Sequence, residues 1–140
     1  VSVLTVIDIN KDNQPVIARG EEIAKGLGQE QIIFHVVPHT GNIERATETV
    51  EKAVREFFGS EENEPAINIA EEPSIWEENS PSDRVASRIV DETEQESVNY
   101  VVIGSRKRSP SRKAVLGNVT QQVLLDTSVP VVVVEQDDVN

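Results

Sequence analysis

The sequence predicts an α/β fold: one domain over residues 1–140, built on a doubly wound, five-stranded parallel sheet in the order 3-2-1-4-5 with helices on both faces. Three observations predict it. Five short apolar runs alternate with four stretches whose apolar residues recur at helical spacing, giving β-α-β-α-β-α-β-α-β. The 22 valines far outnumber the 5 leucines, which suits strands buried on both faces. No internal repeat, low-complexity tract or linker interrupts the alternation, and 140 residues are enough to bury one continuous core.

Taken in order, Val3 to Ile7 reads as the first strand, ending on the acid Asp8. Asn10, Asp12, Asn13 and Pro15 make a turn into a helix, where proline suits the first turn because its missing N–H costs nothing. Ile17, Ala18, Ile23, Ala24 and Leu27 form the predicted stripe of that helix, closed by Gly26 and Gly28. Ile32 to Val37 is the second strand, with His35 inside it and Pro38 after it. Ile43, Ala46, Thr47, Val50, Ala53, Val54 and Phe57 are spaced as one buried helix face, and Gly59 ends it. The acidic run Glu61, Glu62, Glu64 is expected to be a solvated turn. Pro65 to Ala70 is an edge or half-exposed strand, since Ile67 and Ile69 alternate with Asn68.

Residues 71–79 hold the only tryptophan, Trp76, flanked by acids, and are expected to cover the sheet edge. Ser80-Pro81-Ser82-Asp83 combines a capping serine, a first-turn proline and an acid three residues on, a strong helix start. Val85, Ala86, Ile89 and Val90 form its buried face. A fourth strand follows from Asn99 to Gly104, then a basic loop. A last helix turns Leu116, Val119, Val123 and Leu124 inward, and the final strand runs from Val131 to Val134.

The formal net charge is −12, yet five basic residues (Arg106, Lys107, Arg108, Arg112, Lys113) and no acid lie between Gly104 and Asn118. The remainder, with 8 basic and 25 acidic residues, therefore carries −17. A cationic loop where a strand hands over to a helix is where parallel α/β proteins receive anions, because unpaired N–H groups and the helix dipole favour negative charge there. In the order 3-2-1-4-5 the ligand crevice falls at the carboxyl ends of strands one and four, so Asp8 and Gly104 face each other across it. The surrounding acidity disfavours nucleic acid, and no aromatic residue is interleaved with the basic loop to stack a base. The same acid excess matches a halophilic coat.

With no cysteine, disulfides, thiolate metal sites and cysteine nucleophiles are excluded together. No apolar run approaches the roughly 18 residues of a membrane span, and the N-terminus lacks the layout of a signal peptide, so a cytoplasmic protein without membrane partners is expected. Neither a Gly-x-Ser-x-Gly elbow nor a phosphate-loop lysine motif is present. Gly26-Leu27-Gly28 sits at a helix end leading into a strand, the reverse of a dinucleotide fingerprint. His35 and His39, the only histidines, fall on a strand and the loop after it, so no metal site is assigned.

Ile103-Gly104-Ser105-Arg106, Gly117-Asn118-Val119-Thr120 and Ser128-Val129-Pro130-Val131-Val132-Val133-Val134 together resemble the universal stress protein family, and the order of elements matches along the whole chain. Nucleotide-binding members carry Gly, two residues, Gly, nine residues, Gly, then Ser or Thr. Gly104 and Gly117 match the first and third glycines; Lys107 replaces the second, and Asn118 the Ser or Thr. Ile9-Asn10 stands where many members have Gly-Ser after the acid. Asparagine caps helices about as well as serine, and with Gln121 three residues later a capping box at Asn118 is expected.

The resemblance implies a stress-response regulator that binds ATP or another adenine nucleotide; a Mg2+ ion between Asp8 and the phosphates is expected from the preference of hard cations for carboxylate plus phosphate oxygens. It implies nucleoside contacts from Asp8 and Val36. Phosphate contacts fall to Gly104, Ser105, Arg106, Lys107, Gly117, Asn118 and Val119. It also implies a homodimer formed along the last strand, and no fast enzymatic activity, slow nucleotide hydrolysis aside. The alternative is a dimeric interaction module of the same fold that binds no nucleotide. Lys107 separates the two, because a glycine lets backbone approach a phosphate or take positive φ, whereas lysine forbids either while supplying charge.

Overall fold

The computed structural model describes residues 1–72, 80–95, 97–106 and 117–136. The expectations for Trp76, for Leu116 and for the basic loop from Lys107 to Lys113 lie outside the described residues. Five strands, β1 (Ser2–Val6), β2 (Glu30–Val37), β3 (Ala66–Glu71), β4 (Val98–Arg106) and β5 (Val131–Gln136), alternate with four helices, α1 (Gln14–Leu27), α2 (Ile43–Phe58), α3 (Pro81–Thr93) and α4 (Asn118–Asp126). The strands form one sheet in the order β3-β2-β1-β4-β5, and every neighbouring pair is parallel. This is the predicted doubly wound α/β fold.

Strand alternation sends successive side chains to opposite faces. Leu4, Val6, Phe34, Val36, Val101 and Ile103 pack with Ala86, Ile89 and Val123 of α3 and α4. On the other face, Val3 and Val102 meet Val16 and Ala24 of α1, while Ile33 joins Ile17 of α1 and Val50 and Val54 of α2. The valine-rich composition is thus spent on central strands covered on both sides.

Several elements depart from the sequence reading. The buried stripe of α1 is Val16, Ile17, Gly20 and Ala24; Ala18 and Leu27 face solvent. Gly20 belongs to the stripe because a Cβ there would overlap Gln31 and Thr5, whose hydroxyl donates to the Gln31 side-chain oxygen Oε1 at 2.6 Å. Gly26 lies within the helix, and Gly28 alone closes it, in the left-handed conformation at φ 66°. On α2, Ile43 and Phe57 are exposed at the ends, and Phe58 packs toward the sheet in their place. Glu64 is an ion-pair partner, 2.7 Å from Arg55 Nε, and residues Glu61–Asn63 form a short 3-10 turn. β4 and β5 both run two residues further than the apolar runs alone suggest, to Arg106 and Gln136.

Candidate functional site

The sheet's strand order reverses between β1 and β4, and a cavity of about 490 Å³ opens at their carboxyl ends, a size suited to a small organic ligand. Its apolar wall comes from Val6, Val36, Val85, Ile89, Ile103 and Val119. The polar end carries Asp8, Asn10 and Lys11 from the β1–α1 loop, Gly104 and Ser105 from β4, and Gly117 and Asn118 from the start of α4. The cavity is thus lined by apolar side chains together with polar groups from three strand and helix ends.

The two helices that point into this cavity begin differently. At α3, Ser80 accepts from the Asp83 N–H at 3.2 Å and the Asp83 carboxylate accepts from the Ser80 N–H at 3.3 Å, the predicted capping box. The N–H groups of Ser80 and Asp83 are therefore paired with side chains of the same turn. At α4 the N-cap is Gly117, with no side chain to accept from the first turn, and Asn118 is the first helical residue. The expected capping box at Asn118 does not form, because the helix begins one residue earlier than that reading requires and makes Asn118 its first helical residue rather than its N-cap. The first N–H groups and the positive end of the α4 dipole thus border the cavity with no side-chain cap from Gly117. Gly117 has φ −69° and open space where a Cβ would lie, so the backbone conformation does not require glycine there.

The β1–α1 loop is held by side chains more than by regular structure. The Asn13 amide donates to the carbonyls of Asp8 (2.8 Å) and Lys11 (3.1 Å), and its oxygen accepts from the Asp8 N–H (3.2 Å). Asp8 itself accepts from the Asn10 N–H at 2.9 Å, a turn-forming contact that presents its exposed carboxylate at the cavity mouth. Thr120 donates to the Gly104 carbonyl at 2.7 Å, tying the start of α4 to the end of β4.

Of the residues singled out from sequence, Asp8, Val36, Gly104, Ser105, Gly117, Asn118 and Val119 line this one cavity. Arg106 is the last residue of β4, and Lys107 lies outside the described residues. Sequence reasoning missed Asn13, Thr120 and Gln136. Asn13 read as one of several turn residues, and Thr120 was visible only as part of the Gly117 motif. Gln136 had no local signal, since its partners are more than 120 positions away. Among the described residues, no group of three or more His, Asp or Glu side chains converges to hold a metal ion. No described helix is long and apolar enough to cross a membrane.

His35 also borders the cavity, from the face of β2 that carries Ile33. Its Nδ1–H donates to the Ile7 carbonyl at 2.7 Å, while Nε2 is buried without a partner among the described residues. Burial pushes its pKa below the ordinary value of 6.5, against the opposing pull of the Ile7 carbonyl and the Asp8 charge. The unfolded chain therefore binds this proton more readily than the folded one. The stabilisation is complete above the unfolded value and is lost as pH falls from there through the folded value. Chemical denaturation from pH 7 downward is expected to show this decline, and a His35→Gln variant to flatten it; an unchanged slope in the variant contradicts the assignment.

The universal stress protein family's sequence model matches residues 2–135. The chain belongs to the universal stress protein family. A universal stress protein from Archaeoglobus fulgidus is 25% identical, with a TM-score of 0.65, over 94% of this chain and 96% of that one. UspA from Lactobacillus plantarum, at 16% identity, superposes with a TM-score of 0.68 over 96% of this chain and 97% of its own. An Archaeoglobus fulgidus universal stress protein solved in complex with dAMP is 22% identical, with a TM-score of 0.61 and 94% of each chain covered. No curated protein matches the chain at a significant level.

Proposed function

We propose that this protein is a stress-response regulator that binds an adenine nucleotide, ATP or a related compound, in the cavity between β1 and β4. The observation that carries the reading is the start of α4 bordering that cavity with a glycine at its N-cap and no capping side chain among the described residues, while α3 beside it is capped by Ser80 and Asp83. Phosphate would lie against the N–H groups of Gly117, Asn118 and Val119, with Gly104, Ser105, Arg106 and Lys107 at the same end. The nucleoside would lie in the apolar slot, near Asp8 and Val36. A nucleotide-bound Mg2+ fits beside the Asp8 carboxylate, since hard cations bind through carboxylate and phosphate oxygens together. The dAMP carried by the Archaeoglobus fulgidus relative supports an adenine ligand. No catalytic residue is assigned.

Calorimetric titration with ATP and magnesium at high salt, which screens the acidic surface, is expected to give a saturable heat. No heat and no thermal shift at millimolar nucleotide contradict the reading. The second reading, a dimeric cytoplasmic module without nucleotide, draws on β5, which lies at the edge of the described sheet beside β4 and leaves Val133 exposed. An apolar edge of this kind is protected by pairing with a second copy, so a homodimer along β5 is compatible with either reading.

A further inference from the structure

Gln136, at the end of β5, is buried and reaches back across the end of β4. Its amide donates to the Asp12 carbonyl at 3.0 Å and to the Asn13 side-chain oxygen at 3.3 Å. Asn13 in turn holds both the N–H and the carbonyl of Asp8. A chain of hydrogen bonds therefore runs from the last strand of the sheet to the acid at the cavity mouth. The Gln136 side chain lies directly over Gly104, so that a Cβ at position 104 would overlap it. The Gly104 carbonyl is meanwhile bonded to Thr120.

We infer that Gln136 is a positioning residue for the ligand-facing β1–α1 loop, and that Gly104 is glycine to let Gln136 cross it. The inference rests on the nucleotide reading only for its effect on binding; the ordering of the loop does not depend on any ligand. It assigns Gly104 a different task from Gly117. Gly117 has open space around it and fronts the cavity, whereas the side-chain space at Gly104 is already filled from within the protein. The arrangement also makes β5 the anchor of a loop three strands of sequence away, which no reading of the β1 end alone would reveal. Loss of the two donated hydrogen bonds leaves the Asn13 clamp without its support and frees Asp8 to move.

The test compares the intact protein with Gln136→Ala, Gln136→Glu, Gly104→Ala and the double variant Gly104→Ala/Gln136→Ala. Gln136→Glu keeps the shape and, when ionised, has only acceptors, so measured above the carboxylate range it tests the donated bonds without the cavity left by alanine. The first readout, in protein without ligand, is amide hydrogen exchange at Asp8, Asn10 and Asn13. It is expected to rise about tenfold in Gln136→Ala, in Gln136→Glu and in Gly104→Ala, with amides of β1 and β2 unchanged. The second is affinity for ATP with magnesium, expected to fall about tenfold in the same variants. The double variant should be no worse than Gln136→Ala alone, because the added methyl group then occupies vacated space.

Unchanged loop exchange in both Gln136 variants overturns the inference, as does a double variant whose losses simply add. If the intact protein binds no nucleotide, the nucleotide reading fails while the exchange measurements still decide the role of Gln136.

Discussion

Replacing Gly117 with aspartate is expected to raise stability slightly and to lower affinity for an adenine nucleotide about hundredfold. The two effects have opposite signs because they share one cause. Gly117 occupies the N-cap of α4 at φ −69°, with room for a side chain, so aspartate enters without strain. Its carboxylate would accept from the first-turn N–H groups that glycine leaves uncapped. Aspartate exceeds glycine at this position by roughly a few tenths of a kcal/mol. The same oxygen atoms would occupy the anion position and repel a phosphate. A unit charge at contact distance is worth about 3–4 kcal/mol at an effective dielectric of 20, enough for the predicted loss. Thermal melting and calorimetry on the one variant check both halves. A variant that melts higher yet binds as before would remove the start of α4 from the site.

The largest expected loss of stability comes from Arg84→Ala, about 3 kcal/mol or more by urea denaturation. Glu72 follows β3, and its N–H donates to the Val37 carbonyl at the end of β2. Its side chain is 1% exposed; Oε1 lies 3.3 Å from Arg84 Nε, and Oε2 is buried with no hydrogen bond among the described residues. Removing the guanidinium leaves a carboxylate sealed in the protein beside an already unsatisfied oxygen. The cost is that of an uncompensated buried charge rather than the worth of the pair. Replacing both partners, Glu72→Gln with Arg84→Met, should therefore cost less than Arg84→Ala alone. Arg84 stands in the first turn of α3, next to the cavity-lining Ser82 and Val85, so the single variant should also weaken any ligand held against that wall. A double variant less stable than Arg84→Ala would show that the pair is net stabilising.

The fold was largely legible because its signals are local and strong. Alternation of valine-rich runs with helical stripes fixes the order of elements, and Ser80 with Asp83 marks the start of α3 as the structure has it. Errors gathered where a stripe had more than one plausible face. On α1 the apolar Ala18 and Leu27 look like core, yet the small Gly20 faces the sheet because Thr5 and Gln31 leave no room for a side chain. On α2, Phe57 and Phe58 are equally apolar, and only packing selects Phe58.

The candidate site was legible at its glycines and its acid, which recur at recognisable spacing. It was illegible wherever one side chain acts on a distant loop. The buried ion pair of Glu72 with Arg84, the Thr120 bond to Gly104 and the reach of Gln136 to Asn13 all depend on which strand ends are neighbours. Glu72 looked like one more acid in an acidic stretch, although it is among the most buried polar residues.

The most direct measurement is amide chemical-shift mapping of the protein titrated with ATP and magnesium. Saturable shifts are expected at Gly117, Asn118, Val119 and Thr120 and at Asp8 and Val36, with β3 and the outer face of α2 unmoved. Shifts confined to β3 or α2, or none at millimolar nucleotide, would contradict a ligand site between β1 and β4.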